Sequence, residues 1–274
     1  MGVLNVTPDS FSDGGRFTDP DRAIAQAERM VAEGAGILDI GAESTRPGSQ
    51  AVAPAEQIQR LQAVLPRAVK LGAIVSIDTT SAEVARFALD VGAGMINDVS
   101  AGRDDPDMLP LAARRGTPVV LMHMLGRPRT MQADPRYDDV LAEVKQFLAG
   151  RLAAAAQAGL PREKCIVDPG IGFGKRLEHN LALLAGVGKL ACLGCPILVG
   201  PSRKRFIAEL TGGQDASCCL GGTLAGCIEA WRRGAAILRV HDVGPLAEAL
   251  KVASAIRRAD DEWKPPAGGA ASHD

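Results

Sequence analysis

Asp78, Asn97 and Asp168 each close a short aliphatic run. Two carboxylates and an amide in one pocket suit a flat heterocycle bearing amino and ring N–H donors, because a carboxylate accepts two adjacent N–H groups in parallel. A second set is rich in donors. Arg46, Arg239 and His241, with Asn5, suit an oxyanion such as phosphate or diphosphate. Arg239 lies within Ile237-Leu238-Arg239-Val240-His241, an apolar strand that favours an inward side chain. Asn5 and Asp168 offer oxygen ligands to a Mg2+ carrying a diphosphate. Lys204, in Ser202-Arg203-Lys204, suits either a hydrogen bond to a ring atom or a Schiff base with a carbonyl. Gly170–Lys175 is glycine-rich but lacks the GxxxxGK[ST] order of a phosphate loop. It reads instead as tight backbone beside a planar ligand, with Phe173 as an apolar wall. Each feature also has a structural reading. Asp78, followed by Thr79-Thr80-Ser81, suits a helix cap; the arginines suit surface ion pairs; His123, in Leu121-Met122-His123-Met124, suits a satisfied core histidine.

The elements that must position these residues repeat along the chain. The runs Val3–Val6, Ile37–Ile40, Ile74–Ile77, Met95–Ile96, Val119–Met122, Cys165–Val167, Ile197–Val199 and Ile237–Val240 each lead into a helical stretch. The helical patterns span 19–33, 54–71, 81–91, 106–115, 138–158, 178–190, 217–233 and 243–258. Gly34, Gly72, Gly92, Gly116, Gly159 and Gly234 follow helices, where left-handed C-terminal caps belong. Alternation of this kind predicts a parallel sheet. Eight units favour a closed (β/α)8 TIM barrel over an open doubly wound sheet, and a closed barrel brings every strand exit to one mouth. Three long loops, 7–18, 42–53 and 125–137, are expected there as binding segments or lids. The first strand starts almost at Met1, so either the chain begins short there or the barrel closes less well beside it.

The 274 residues fit one α/β domain, expected over residues 1–258 with a disordered tail at 259–274. A net charge of −1 gives no footprint for nucleic acid or an anionic membrane. The sequence has neither a long apolar span nor a signal-peptide pattern. The six cysteines read as reduced thiols of a cytoplasmic protein; Cys192 and Cys195 lack the further ligands of a zinc site.

Taken in order, these segments resemble the dihydropteroate synthases. The first signature is similar to Asn5-Val6-Thr7-Pro8-Asp9-Ser10-Phe11-Ser12-Asp13-Gly14-Gly15, and the second to Gly41-Ala42-Glu43-Ser44-Thr45-Arg46-Pro47-Gly48. Ile77-Asp78-Thr79, Asn97-Asp98-Val99-Ser100, Leu121–Met124, Asp168–Lys175, Ser202–Lys204 and Arg239–Val243 follow. The resemblance implies a transferase of folate biosynthesis. Such an enzyme condenses 6-hydroxymethyl-7,8-dihydropterin diphosphate with p-aminobenzoate, the substrate that sulfonamides mimic. It implies that Asp78, Asn97, Asp168, Lys204 and Arg239, with Met122, bind the pterin. It also implies that Asn5, Arg46, Arg239 and His241 hold the diphosphate, with Mg2+ on Asn5. Thr45, Pro47, Phe173, Ser202 and the Phe11 loop would form the p-aminobenzoate pocket. Asp13 would lie near the developing positive charge and, with Lys204, Arg239 and His241, is implied to be catalytic. A homodimer through the 217–258 helices is expected. One departure is visible: Thr80-Ser81 stands where the family often has a lysine, at a position that Ser81 suits as a helix cap. Three rival readings remain. They are a barrel that transfers a methyl group from a reduced folate to a corrinoid, a non-catalytic pterin-binding paralogue, and an aldolase using Lys204.

Overall fold

The computed structural model describes residues 1–7, 20–43, 51–127, 130–212 and 219–262. Among these residues, eight parallel strands occur in chain order: β1 (Gly2–Asn5), β2 (Ile37–Gly41), β3 (Ile74–Asp78), β4 (Met95–Asp98), β5 (Val119–Met122), β6 (Cys165–Asp168), β7 (Leu198–Val199) and β8 (Ile237–Leu238). The helices between them are α1 (Pro20–Ala32), α2 (Pro54–Gln62), α3 (Leu65–Ala68), α4 (Ala82–Val91), α5 (Met108–Arg115), α6 (Val140–Gln157), α7 (Leu177–Ala185), α8 (Arg205–Thr211), α9 (Leu220–Arg232) and α10 (Val243–Glu262).

Strands β1 to β6 pair successively, and β7 pairs with β8. Backbone hydrogen bonds join the two groups into a ring. Val3 N–H donates to the Val240 carbonyl and Val240 N–H to that of Met1, both at 2.9 Å, while Val167 N–H reaches Pro196 at 3.0 Å. The first strand is therefore paired on both sides, which rules out the looser closure that was one of the two alternatives; four register pairs with β2 hold the other edge.

Several helical stretches differ from expectation. The segment 54–71 breaks into α2 and α3, with Pro66 in the first turn of the second. Helix α7 gives way to a 3-10 segment, Val187–Leu193, after Gly186. Helix α8 follows Lys204 in a stretch too short to show periodicity. Helix α10 continues to Glu262, past the boundary expected at 258, and residues 263–274 lie outside the described residues. All six glycines expected at helix ends have positive φ.

Strand alternation sets the site's level. Met95, Val120, Ile166 and Leu198 form an apolar floor, with Ile37 and Ile237 packed against it. Side chains two residues further along a strand lie on the same face. Those positions are Asn97, Met122, Asp168, Gly200, Asp39 and Arg239. A polar layer therefore sits on an apolar plug, the plug being stabilised by roughly 1.5–3 kcal/mol per buried aliphatic side chain.

Candidate active site

The pocket above this floor is lined by Asn97, Val99, Met122, Asp168, Ile171, Phe173, Gly200, Lys204 and Arg239. Register pairs level the strand exits: Gly41 with Asp78, Asp78 with Asn97, and Met122 with Asp168.

Arg239 reaches inward, as expected, and its guanidinium spans two carboxylates. Nε donates to Asp39 Oδ2 at 2.6 Å, and one terminal nitrogen donates to Asp78 Oδ2 at 2.7 Å. Burial would favour the neutral form of Arg239, but Asp39 and Asp78 outweigh it and hold the proton more firmly. The cation thus enters the site already paired. Asn97 Nδ2 donates to the same oxygen of Asp39 at 2.9 Å. Asp39 is 0% exposed, and the sequence reading passed over it. The signal was present: a carboxylate inside Ile37-Leu38-Asp39-Ile40, like the arginine in the apolar run Ile237–Val240, is forced toward the interior of the barrel.

Burial pushes the Asp78 carboxyl well up, against the opposing pull of Arg239. Burial likewise raises Asp168 to about 6, although Gly170 N–H donates to its Oδ1 at 2.7 Å. Asp78 Oδ1 is buried with no hydrogen-bond partner among the described residues. An orphaned buried acceptor costs about 1–3 kcal/mol, which a bound N–H donor would relieve.

The glycine-rich turn is tight because the protein's own groups crowd it. A Cβ on Gly170 (φ 68°) would stand 1.9 Å from the His123 carbonyl, and one on Gly172 (φ 81°) would stand 2.8 Å from Lys204 Cδ. Phe173 forms the expected wall, and Lys204 Nζ lies 4.0 Å from its ring centroid. That geometry suits an ammonium on a π face. Lys175 is buried; its Nζ meets His123 Nδ1 at 3.0 Å and the Phe173 carbonyl at 2.9 Å. His123 packs edge-on against Phe147 at 4.9 Å. Burial and the neighbouring Lys175 push it down to about 3, so it is a neutral, satisfied core histidine.

At the rim, Ser202 Oγ lies 3.0 Å from His241 Nδ1 and accepts from the His241 backbone N–H at 3.2 Å. Burial and the nearby Arg203 hold His241 neutral, down to about 3. When Nδ1 accepts the serine proton, Nε2 carries the hydrogen and can donate to an anion. Asn5 sits half-buried at the exit of β1. Phe11, Asp13, Thr45, Arg46 and Pro47 lie outside the described residues. The base of the second loop is held by Glu43, which accepts from Val52 N–H at 3.1 Å and from Gln57 Nε2 at 2.9 Å. In the third long loop Gln132 donates to the Gly172 carbonyl at 2.6 Å and Tyr137 to that of Gly174 at 2.8 Å. That loop is docked on the turn carrying Phe173.

Residues 1–241 match the pterin binding enzyme family. A dihydropteroate synthase of Synechocystis is 46% identical over 259 residues, covering 94% of this chain and 90% of the relative. That of Escherichia coli K12 is 45% identical over 256 residues, covering 93% and 90%. Among solved structures, Xanthomonas albilineans dihydropteroate synthase with 4-aminobenzoic acid superposes with a TM-score of 0.88 at 47% identity, covering 93% of this chain and 92% of that one. The same enzyme in complex with 7,8-dihydropteroate gives 0.84 at 44% identity, covering 93% and 92%. With its eight-stranded barrel and this pocket, the chain belongs to the pterin binding enzyme family and, within it, to the dihydropteroate synthases, transferases of folate biosynthesis.

Proposed function

We propose that this chain condenses 6-hydroxymethyl-7,8-dihydropterin diphosphate with p-aminobenzoate, releasing diphosphate, and that the pocket on the barrel floor holds the pterin. One observation carries the assignment of the pocket: Asn97, Asp168, Lys204 and Arg239 line a single cavity, with Asp78 paired to Arg239 at its edge. Asp78, Asn97 and Asp168 accept the pterin N–H groups. Lys204 donates to a ring atom, and Met122 and Phe173 supply apolar contact. The orphaned oxygen of Asp78 supports this reading, because a pterin N–H would satisfy it.

The diphosphate takes the rim, where Asn5 and the Nε2–H of His241 can hold it with Arg239 at its inner end, and the resemblance adds Arg46, which lies outside the described residues. Since Arg239 is already balanced by two carboxylates, much of the diphosphate charge falls to the other groups. A Mg2+ ion fits this arrangement. Among the described residues there is no cluster of three His, Cys, Asp or Glu able to hold a metal. Asn5 provides an oxygen of the kind Mg2+ takes when substrate phosphates and water supply the rest. Bound there, the ion would neutralise leaving-group charge.

Carbon–oxygen cleavage leaves a cation conjugated with the electron-rich pterin, and the aniline nitrogen of p-aminobenzoate then forms the new carbon–nitrogen bond and loses a proton. The resemblance implies that Asp13 acts on that cation and that Thr45, Pro47 and Phe11 join Phe173 and Ser202 in the aniline pocket; of these, only Phe173 and Ser202 lie among the described residues. Positional isotope exchange in the diphosphate without p-aminobenzoate is expected; its absence would favour direct displacement. A homodimer through α9 and α10 is supported by Val252 and Ile256, which are 57% and 58% exposed on one stripe of α10. A cytoplasmic location is supported by the free thiols of Cys165, Cys192, Cys195 and Cys227. No helix among the described residues is long and apolar enough to cross a membrane.

Calorimetry with the pterin diphosphate, with and without Mg2+, followed by p-aminobenzoate and an assay for dihydropteroate, tests the activity. Binding that strengthens with Mg2+, followed by product, is expected. Binding without product would favour a non-catalytic paralogue, and methyl transfer to a corrinoid would favour the methyltransferase reading.

A further inference from the structure

We propose that Asp39 is a positioning residue for the pterin pocket: its carboxylate holds the guanidinium of Arg239 and the amide of Asn97 in the orientation that faces the guest. The inference rests on the reading that this pocket takes the pterin. Asp39 lies in the middle of β2, fully enclosed, one inward position above the apolar floor. One of its oxygens receives both Arg239 Nε, at 2.6 Å, and Asn97 Nδ2, at 2.9 Å. These donors come from the exit of β8 and from β4, so a single carboxylate on β2 ties together three neighbourhoods of the barrel.

Two consequences follow from donor and acceptor chemistry. An ionised carboxylate only accepts, so the amide of Asn97 must turn its nitrogen toward Asp39. Its carbonyl oxygen is then left as the acceptor for a guest. Without Asp39 the amide could rotate by half a turn and offer a donor instead. Arg239 is gripped at two points, Nε by Asp39 and a terminal nitrogen by Asp78. With Asp78 alone the guanidinium could pivot about one hydrogen bond, and Asp78 would move with it. Displacements of about 1 Å at such groups can cost on the order of a hundredfold in rate or binding. A role confined to neutralising Arg239 would leave Asn97 out, yet Asn97 shares the same oxygen.

The test compares Asp39→Asn with Asp78→Asn, measuring Kd for the pterin diphosphate, KM for p-aminobenzoate and kcat, with folding checked by circular dichroism. Asp39→Asn is expected to weaken pterin binding about tenfold or more while KM for p-aminobenzoate changes less than twofold. In an Asn97→Ala background the same substitution should lose much of its effect. If Asp39→Asn binds the pterin within twofold of the unaltered protein while Asp78→Asn does not, Asp39 has no positioning role. If both variants bind normally, the pocket itself has been misassigned. An equal penalty in the two backgrounds would also overturn the inference, since Asp39 would then act without orienting Asn97. Should Asp39→Asn not fold, the unaltered protein still provides a test. The Arg239 Nε–H should resist hydrogen exchange before any ligand is added; exchange at the solvent rate would overturn the inference.

Discussion

At the scale of single residues, chemistry follows from which side chains the barrel desolvates. Asp168 is raised to about 6 by burial, so near that pH its proton is only partly lost. Pterin N–H donors favour the ionised form and pull that pKa down. Binding near pH 6 should therefore release a proton, and affinity should fall as the pH drops through 6. Calorimetry in buffers of different ionisation enthalpy measures the release, which Asp168→Asn should diminish while weakening binding by about 2 kcal/mol. In the ligand-free protein the sign is opposite. A folded value above the unfolded one means that Asp168 stabilises most below about pH 4, and that this contribution is lost as the pH rises through 6. Most of these residues were legible because a polar group closing an apolar run has few places to go. Asp39 was not, since attention to strand ends passes over a charge at the centre of a strand. The pairing of Arg239 with two carboxylates was also hidden, because β2, β3 and β8 meet only in the closed ring.

At the scale of elements, the caps and turns set where each side chain points. Ser81, the residue that replaces a frequent family lysine, caps α4 by accepting from the Val84 N–H. Ser81→Ala should lower stability by about 1 kcal/mol with little change in kcat, as read by urea denaturation. The turn after β6 is less forgiving. Gly170→Ala combines a positive φ with overlap on the His123 carbonyl, so a loss of about 3 kcal/mol is expected, with pterin binding weakened as Asp168 shifts. A stability change under 1 kcal/mol would show that the turn relaxes freely. Strand positions and the glycine caps were readable from period and punctuation. The break between α2 and α3 and the extra helix α8 were not, because runs of four and seven residues carry too little periodicity to be separated from their neighbours. The glycine-rich turn was legible as tight, and its Ile171 and Phe173 line the pocket. The groups that crowd it, the His123 carbonyl and the Lys204 stem, come from distant segments.

At the scale of the whole molecule, the barrel works as an apolar floor beneath a polar layer, closed by the bonds between β1 and β8. Leu4, a fully buried residue of β1, helps to hold that seam against the helices. Leu4→Ala should cost about 2–5 kcal/mol, and thermal unfolding will show it. On the outer surface, Val252→Glu with Ile256→Glu should shift a dimer toward monomer in sedimentation velocity without altering pterin affinity in the monomer. An unchanged dimer would place the interface elsewhere. The most direct measurement is a crystal structure with the pterin diphosphate bound. The expected result is a ring seated on the barrel floor, its N–H edge on Asp78, Asn97 and Asp168 and its diphosphate beside His241. A ring outside this ring of side chains, or one reversed so that Asp78 and Asp168 meet no donor, would contradict it.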